Sequence, residues 1–371
     1  MTPPTQIFLP AHGGQLRQIA ARYGFEPEQL IDFSANINPA GPPASLLIAL
    51  QQALADPAVL VTYPDLELTE LKTALAKASE ILPENIVVAN GFVPLLEAAL
   101  RSLKIARCLL PVPSFSEYRQ TLTNTGIAVA PYHLDKENGF FYQPDNLLRA
   151  VLEYDCDALL LANPQNPSGA LCEARSMRDL VEMAAKHRIK VLLDEAFIDY
   201  VPSQSLTRSA IESENLVVFR SVTKFFAIPG LRVAYAVSSA SSIQNLNTWL
   251  APWPVSSLAS EAASAALQDN AYMEETRRVN DLRRTWLERK LARLKIFTYP
   301  SSTNFLLLRF DSHVDVHLLW AKMIAEEQIV LRSCANFEGL APGHLRTAVR
   351  SEAENERLVR GFERVLVRMN R

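Results

Sequence analysis

The segment Ser221-Val222-Thr223-Lys224 puts one lysine among hydroxyl groups, and Arg232 follows eight residues later. Residues 216–220 read as a short strand and Pro229-Gly230 marks a turn, so Lys224 is expected on a loop and not on a solvated helix face. Burial and neighbouring positive charge lower a lysine pKa and leave a neutral amine, the form that condenses with an aldehyde. Arg232 adds a planar, permanently charged fork that suits a phosphate. Read alone, the stretch fits a surface loop with two ordinary cations equally well.

The upstream chain supplies partners for that chemistry. Residues 190–200 run as an apolar strand into Asp194, and a carboxylate at a buried strand end requires a cation or hydrogen-bond donors. A protonated ring nitrogen is one such cation. Residues 159–169 begin as another strand and end in Asn163-Pro164-Gln165-Asn166-Pro167-Ser168-Gly169, a turn-rich stretch that presents the Asn166 amide. A strand over 86–89, the turn Asn90-Gly91 and a helix over 94–103 follow the same plan, with Pro94 in the first helical turn. The backbone of Gly91, Phe92 and Val93 then offers N–H groups to a phosphate. After the run 106–110, Phe115 stands where it either covers a flat ring or fills core. Neither GxGxxG nor GxxxxGKS occurs, so no nucleotide-binding loop is indicated.

These residues need a scaffold, and the hydrophobic pattern specifies one. Strand-like runs at 128–133, 158–161, 191–193, 216–219 and 233–237 alternate with helical patterns such as 175–186. That alternation predicts an α/β fold: a mostly parallel central sheet with helices on both faces and a site at the carboxyl ends of the strands. Helical patterns at 256–294 and 352–369 bracket strands at 305–309, 329–332 and 344–349, which we read as a smaller α+β unit. The expected division is an N-terminal arm over 1–45 packed on the small domain, a large domain over 46–255 and a small domain over 256–371.

Several further side chains need weighing. Ala11-His12-Gly13-Gly14 can turn backbone N–H groups and an imidazole toward an anion, or form a loose arm. Tyr63-Pro64-Asp65 interrupts helical patterns at 45–54 and 66–79. Arg332 and Arg346 lie in strand-like runs where an unpaired guanidinium is costly, which suggests a substrate with two anionic groups. His313 and His317, four residues apart at a helix start with no third ligand in view, read as solvated, and no metal is expected.

Composition agrees. The chain has 371 residues, 49% hydrophobic, with a net charge of -3, so it can bury a large core and gives no general reason to expect nucleic-acid binding. Cys108, Cys156, Cys172 and Cys334 form no CxxC pair and read as reduced thiols of a cytoplasmic protein. No apolar run approaches the ~18 residues of a membrane span, and residues 1–15 lack the pattern of a signal peptide.

Strand, amide, strand, carboxylate, strand, lysine and arginine in this order resemble the fold-type I pyridoxal-phosphate enzymes of the aspartate aminotransferase superfamily. Ala11-His12-Gly13-Gly14, Asp32-Phe33-Ser34-Ala35-Asn36-Ile37-Asn38-Pro39, Asp194-Glu195-Ala196-Phe197-Ile198-Asp199 and Arg332-Ser333-Cys334-Ala335-Asn336-Phe337 together resemble, within it, the threonine-phosphate decarboxylase family of cobalamin biosynthesis. That family is similar in fold to the histidinol-phosphate aminotransferases. The resemblance implies that Lys224 carries pyridoxal 5'-phosphate, Asp194 pairs with its ring nitrogen, Asn166 bonds its ring hydroxyl and lies against substrate, and Phe115 stacks on the ring. It places the cofactor phosphate on Gly91, Phe92, Val93, Ser221 and Arg232, with Tyr63 arriving from the partner subunit of a homodimer. Arg346 then takes the substrate carboxylate, and His12, Asn36 and Arg332 take the substrate phosphate. Gln15, Gln165, Val93 and Phe197 depart from the family pattern. The Val93 change removes one hydroxyl donor to the cofactor phosphate, and Phe197 leaves Asn166 as the main partner of the ring hydroxyl.

The implied reaction is decarboxylation of L-threonine O-3-phosphate to (R)-1-amino-2-propanol O-2-phosphate and CO₂. The alternatives are a histidinol-phosphate or related phosphoamino-acid aminotransferase, a decarboxylase of L-serine O-phosphate, and a cofactor-fold binding protein that has lost catalysis. Which bond breaks depends on which one stands perpendicular to the cofactor ring, and a ~10³-fold preference takes only ~4 kcal/mol. Retention of both Lys224 and Asp194 argues against the binding protein.

Overall fold

Apolar residues run almost unbroken through the strands of the main sheet because both of its faces are covered. In the computed structural model of the protein, which describes residues 9–369, this sheet has seven strands: β1 (Ile86–Asn90), β2 (Arg107–Val112), β3 (Ala128–His133), β4 (Ala158–Ala162), β5 (Lys190–Asp194), β6 (Leu216–Ser221) and β7 (Val233–Val237). Their spatial order is β1-β7-β6-β5-β4-β2-β3. Neighbours are parallel except that β7 runs antiparallel to both β1 and β6. Successive side chains alternate between two cores, as the pleat requires. Leu159, Leu161 and Val218 enter one, whereas Ala158, Leu160, Val217 and Phe219 enter the other. Two helices matter for the site, α1 (Phe92–Ser102) and α2 (Ser116–Asn124).

A third core lies beyond this sheet. It is lined by four short strands, β8 (Phe297–Thr298), β9 (Phe305–Arg309), β10 (Arg332–Ser333) and β11 (His344–Ala348), in the antiparallel order β10-β11-β9-β8. The N-terminal arm belongs to it: Ile19, Ala20 and Tyr23 of the helix Leu16–Tyr23 are buried there. Residues 1–8, part of the stretch without a signal-peptide pattern, lie outside the described residues.

Three sequence expectations change in detail. The run 329–332 is not one strand. Ile329 and Val330 pair in parallel with Ile31 and Asp32, while Arg332 and Ser333 join β11, and between them the Leu331 carbonyl accepts a bond from Trp320 Nε1 at 2.7 Å. The pattern 256–294 breaks into Ser257–Ala266 and α3 (Asn270–Arg293), because Asp269 caps a new helix by accepting from Tyr272 N. The helix expected from 66 starts at Thr69, where Asp65 Oδ2 accepts from the Thr69 N–H at 2.7 Å.

Candidate active site

Parallel strands end at one edge of the sheet, and their exits supply the reactive groups. Ala162 at the end of β4 is in register with Asp194 at the end of β5, and Asp194 in turn with Phe219 of β6. The loops that follow line a cleft of about 640 Å³ that reaches the N-terminal arm and the 332–346 region. Every residue expected from sequence to bind cofactor or substrate lines this cleft except Tyr63.

Asp194 is buried, and burial is the main cause that raises its pKa; the Tyr118 hydroxyl, Lys224 and the Ala196 N–H pull it back. The Tyr118 hydroxyl donates to Asp194 Oδ2 at 2.5 Å and the Ala196 N–H to Oδ1 at 2.9 Å. Lys224 shows the complementary trend. Burial lowers its pKa and the positive charges of Arg232 and Arg346 add to this, against the attraction of Asp194. A lysine held toward its neutral form beside a buried acid is the arrangement a nucleophilic amine needs. Its Nζ lies 5.9 Å from the centre of the Phe197 ring, which is apolar and offers no proton.

The phosphate-sized end of the cleft is built from backbone and hydroxyls. Gly91 caps α1 with φ 91°, a left-handed conformation, and a Cβ placed there would stand 2.7 Å from an Arg232 terminal nitrogen. Only glycine admits both the turn and the guanidinium. The Phe92 and Val93 N–H groups head α1, and Pro94 contributes none. Ser221 and Thr223 face each other through their hydroxyls at 2.7 Å. Charge, hydroxyls and a helix start at one point fit a phosphate ester, and the adjoining Lys224–Asp194 pair fits an aldehyde-bearing ring nitrogen base.

The opposite end is strongly cationic. Arg346 donates to Asn166 Oδ1 at 2.6 Å and to the Ser34 carbonyl at 3.4 Å, while its buried Nε has no partner. Its pKa is pushed down to about 9, chiefly by burial and then by the nearby Arg332 charge. Asn166 keeps its amide N–H groups for another ligand. Arg332 donates to the carbonyls of Pro10, Ala11 and Ser333 and to Asn336 Oδ1, which uses all four terminal N–H groups and leaves Nε–H. No carboxylate among the described residues pairs with either arginine. Asn36 Oδ1 is buried and without a partner, and His12 Nε2 stands 3.3 Å from Glu117 Oε1.

Comparison with known proteins gives the family. The model of the family described as aminotransferase class I and II matches residues 28–362. The chain belongs to that family. Within the class I and II aminotransferases it is 35% identical to the threonine-phosphate decarboxylase of Salmonella typhimurium, over 97% of this chain and 98% of that one. Its fold superimposes on histidinol-phosphate aminotransferase from Clostridium acetobutylicum with a TM-score of 0.83 at 27% identity, covering 91% of this chain and 99% of that one. The corresponding figures for L-threonine-O-3-phosphate decarboxylase from Porphyromonas gingivalis are 0.77, 25%, 90% and 98%.

Against the family background, some sequence expectations are redrawn. In the Gly13-Gly14 pair the Gly14 N–H is taken by Ser34 Oγ at 2.9 Å, and Gly13 packs so closely that a Cβ there would meet the Ser34 carbonyl. His313 and His317 do not share a helix, since the helix begins at Val316 and His313 Nδ1 faces Asp311 Oδ1 at 2.7 Å. Tyr63 stands 80% exposed and stacks on Trp253 at 4.6 Å, outside the cleft of its own chain. Sequence reasoning missed Thr223 and Glu117, which line the cleft, and Tyr118, which holds Asp194. Thr223 was adjacent to Lys224 and recoverable; Glu117 and Tyr118 are helix residues whose direction depends on how α2 packs.

Proposed function

We propose that this protein is a pyridoxal 5'-phosphate-dependent decarboxylase of L-threonine O-3-phosphate, releasing CO₂ and (R)-1-amino-2-propanol O-2-phosphate for the aminopropanol linker of cobalamin. The observation that carries the substrate class is the pair Arg332 and Arg346, buried at 4% and 7% exposure without an acidic partner, beside the Lys224–Asp194 pair. Buried guanidinium groups of this kind are retained where an anion completes them. When bound, the cofactor supplies an electron sink for the pair left on the substrate α-carbon as a bond there breaks.

The chain's own groups do the rest. Lys224 Nζ carries the cofactor and afterwards returns a proton to the α-carbon, directly or through a water. Asp194, held by Tyr118, keeps the ring nitrogen protonated. Phe115 covers the ring, and Asn166 bonds its hydroxyl through the amide N–H groups that Arg346 leaves free. Gly91, Phe92, Val93, Ser221 and Arg232 hold the cofactor phosphate, with Thr223 beside them. Arg346 fixes the substrate carboxylate, and His12, Asn36 and Arg332 fix the substrate phosphate. Two anchored ends leave little freedom about the α-carbon, so the hold of Arg346 on the carboxylate would decide which bond there is presented for cleavage.

The same reading has a subunit counterpart. Leu60, Val61, Tyr63 and Leu66 are more than half exposed, and Trp253 joins them at 42%. A patch this apolar on one face fits a second copy of the chain, from which Tyr63 reaches the cofactor phosphate. We divide the chain accordingly into an arm (1–45), a large domain (46–255) and a small domain (256–371). Among the described residues no helix is long and apolar enough to cross a membrane. Four free, buried cysteines support a cytoplasmic setting.

The test is a substrate panel. Purified protein with pyridoxal phosphate is given L-threonine O-3-phosphate, L-serine O-phosphate, or L-histidinol phosphate with 2-oxoglutarate, and CO₂ and glutamate are followed together. CO₂ from the threonine ester in excess over the serine ester, without glutamate, is the expected result. Glutamate without CO₂ replaces the reading with an aminotransferase.

A further inference from the structure

The first turn of α2 reaches three distant segments of the chain with three successive residues. Glu117 faces His12 of the arm, Tyr118 holds Asp194, and Arg119 forms an ion pair with Glu338, its second nitrogen 2.7 Å from Glu338 Oε1. On its other side the arm is tied by Arg332, and by Asn336 Nδ2, which donates to the Ala11 carbonyl at 2.8 Å. His12 is therefore gripped between a loop of the third core and a helix of the main sheet. Arg332 spends two of its four engaged terminal N–H groups on that grip, on the carbonyls of Pro10 and Ala11, and the other two on Ser333 and Asn336, so its Nε–H and His12 of the arm are left for the substrate phosphate.

We propose that Glu117 is a positioning residue for the substrate phosphate. Its Oε1 stands 3.3 Å from His12 Nε2, which leaves Nδ1 as the ring nitrogen that meets the phosphate. An imidazolium donates from both nitrogens, so a carboxylate on one side and a phosphate on the other are satisfied by the same ring state. The pair is half in solvent, with side-chain exposures of 45% and 29%, and an exposed pair contributes little to folding. Its value lies in orientation. The proposal rests on the phosphorylated-substrate reading above and adds to it a residue that acts only through His12.

The experiment is a double-mutant cycle on the cofactor-loaded enzyme. Affinities for L-threonine O-3-phosphate, inorganic phosphate and unphosphorylated L-threonine are measured by calorimetry for wild type, Glu117→Ala, Glu117→Asp, His12→Ala and the double variant. Glu117→Ala is expected to weaken both phosphate-bearing ligands about tenfold, equivalent to about 1.4 kcal/mol, and L-threonine less than twofold. Glu117→Asp restores most of the loss, and in the His12→Ala background the Glu117 change adds less than twofold. A further tenfold loss in that background, an equal loss for L-threonine, or tighter phosphate binding overturns the proposal. Failure of the wild type to release CO₂ from the threonine ester is a different result: it removes the decarboxylase reading, while the coupling is still read from inorganic phosphate.

Discussion

Arg346 exposes a conflict between stability and binding that one substitution resolves. Its guanidinium is buried and has neutral hydrogen-bond partners in place of a carboxylate. Burial pushes its pKa down to about 9, and at ~1.36 kcal/mol per tenfold this sets an upper figure of about 5 kcal/mol for the cost of the charge. Relaxation and the two hydrogen bonds reduce this, and a net cost of about 1–3 kcal/mol is expected. Arg346→Met keeps the stem and removes the charge, and Asn166 is partly exposed, so water can take the place of the lost donor and the ligand-free protein should gain about 2–5 °C in Tm. The folded pKa lies below the unfolded one. The cost is thus fully present below about pH 9 and is relieved as pH rises through that value, so the Tm gap between variant and wild type narrows above pH 9. Meanwhile L-threonine O-3-phosphate should bind about 10²-fold more weakly, since its carboxylate loses a charged fork. Scanning calorimetry with and without the ligand, at pH 7.5 and pH 10, reads all three effects. A lower Tm for Arg346→Met at pH 7.5 would refute the argument, because it would make the guanidinium a structural member of the fold.

Other perturbations have simpler outcomes. Lys224→Ala should reduce CO₂ release by at least about 10³-fold with an unchanged circular-dichroism spectrum. Tyr118→Phe removes a donor at 2.5 Å from Asp194 and should raise the cofactor Kd about tenfold, read by equilibrium dialysis; an unchanged Kd would mean that the Ala196 N–H is enough to hold Asp194. Trp253→Glu puts a charge into the exposed apolar patch around Tyr63. Light scattering should then report a monomer, with loss of activity.

The parts of this architecture that depend on local pattern were legible in the sequence. β3 and β7 have the bounds that their apolar runs predict, and Asp194, Asn166 and Lys224 line one cleft because a parallel sheet delivers consecutive strand ends to one edge. What was hidden depends on distant partners. Nothing in Glu117-Tyr118 indicates that α2 turns Glu117 to the cleft and Tyr118 onto Asp194, and nothing around Arg332 indicates that carbonyls of Pro10 and Ala11, more than 300 residues away, occupy its donors. The Gly13-Gly14 pair reads as an anion nest by type, yet its place is set by close packing on Ser34. The split of 329–332 has the same origin, since which sheet a residue joins is decided by its neighbours and not by its own apolarity.

The central claim is that the bond to the carboxylate breaks and the bond to the α-hydrogen does not. L-[2-²H]threonine O-3-phosphate tests it in one vessel, with the amine product analysed by mass spectrometry and CO₂ measured alongside. The account predicts one CO₂ per amine, with the deuterium retained at the carbon that bore the carboxylate. Loss of the deuterium to solvent with the carboxylate still attached would contradict it and identify the protein as an enzyme of α-proton removal.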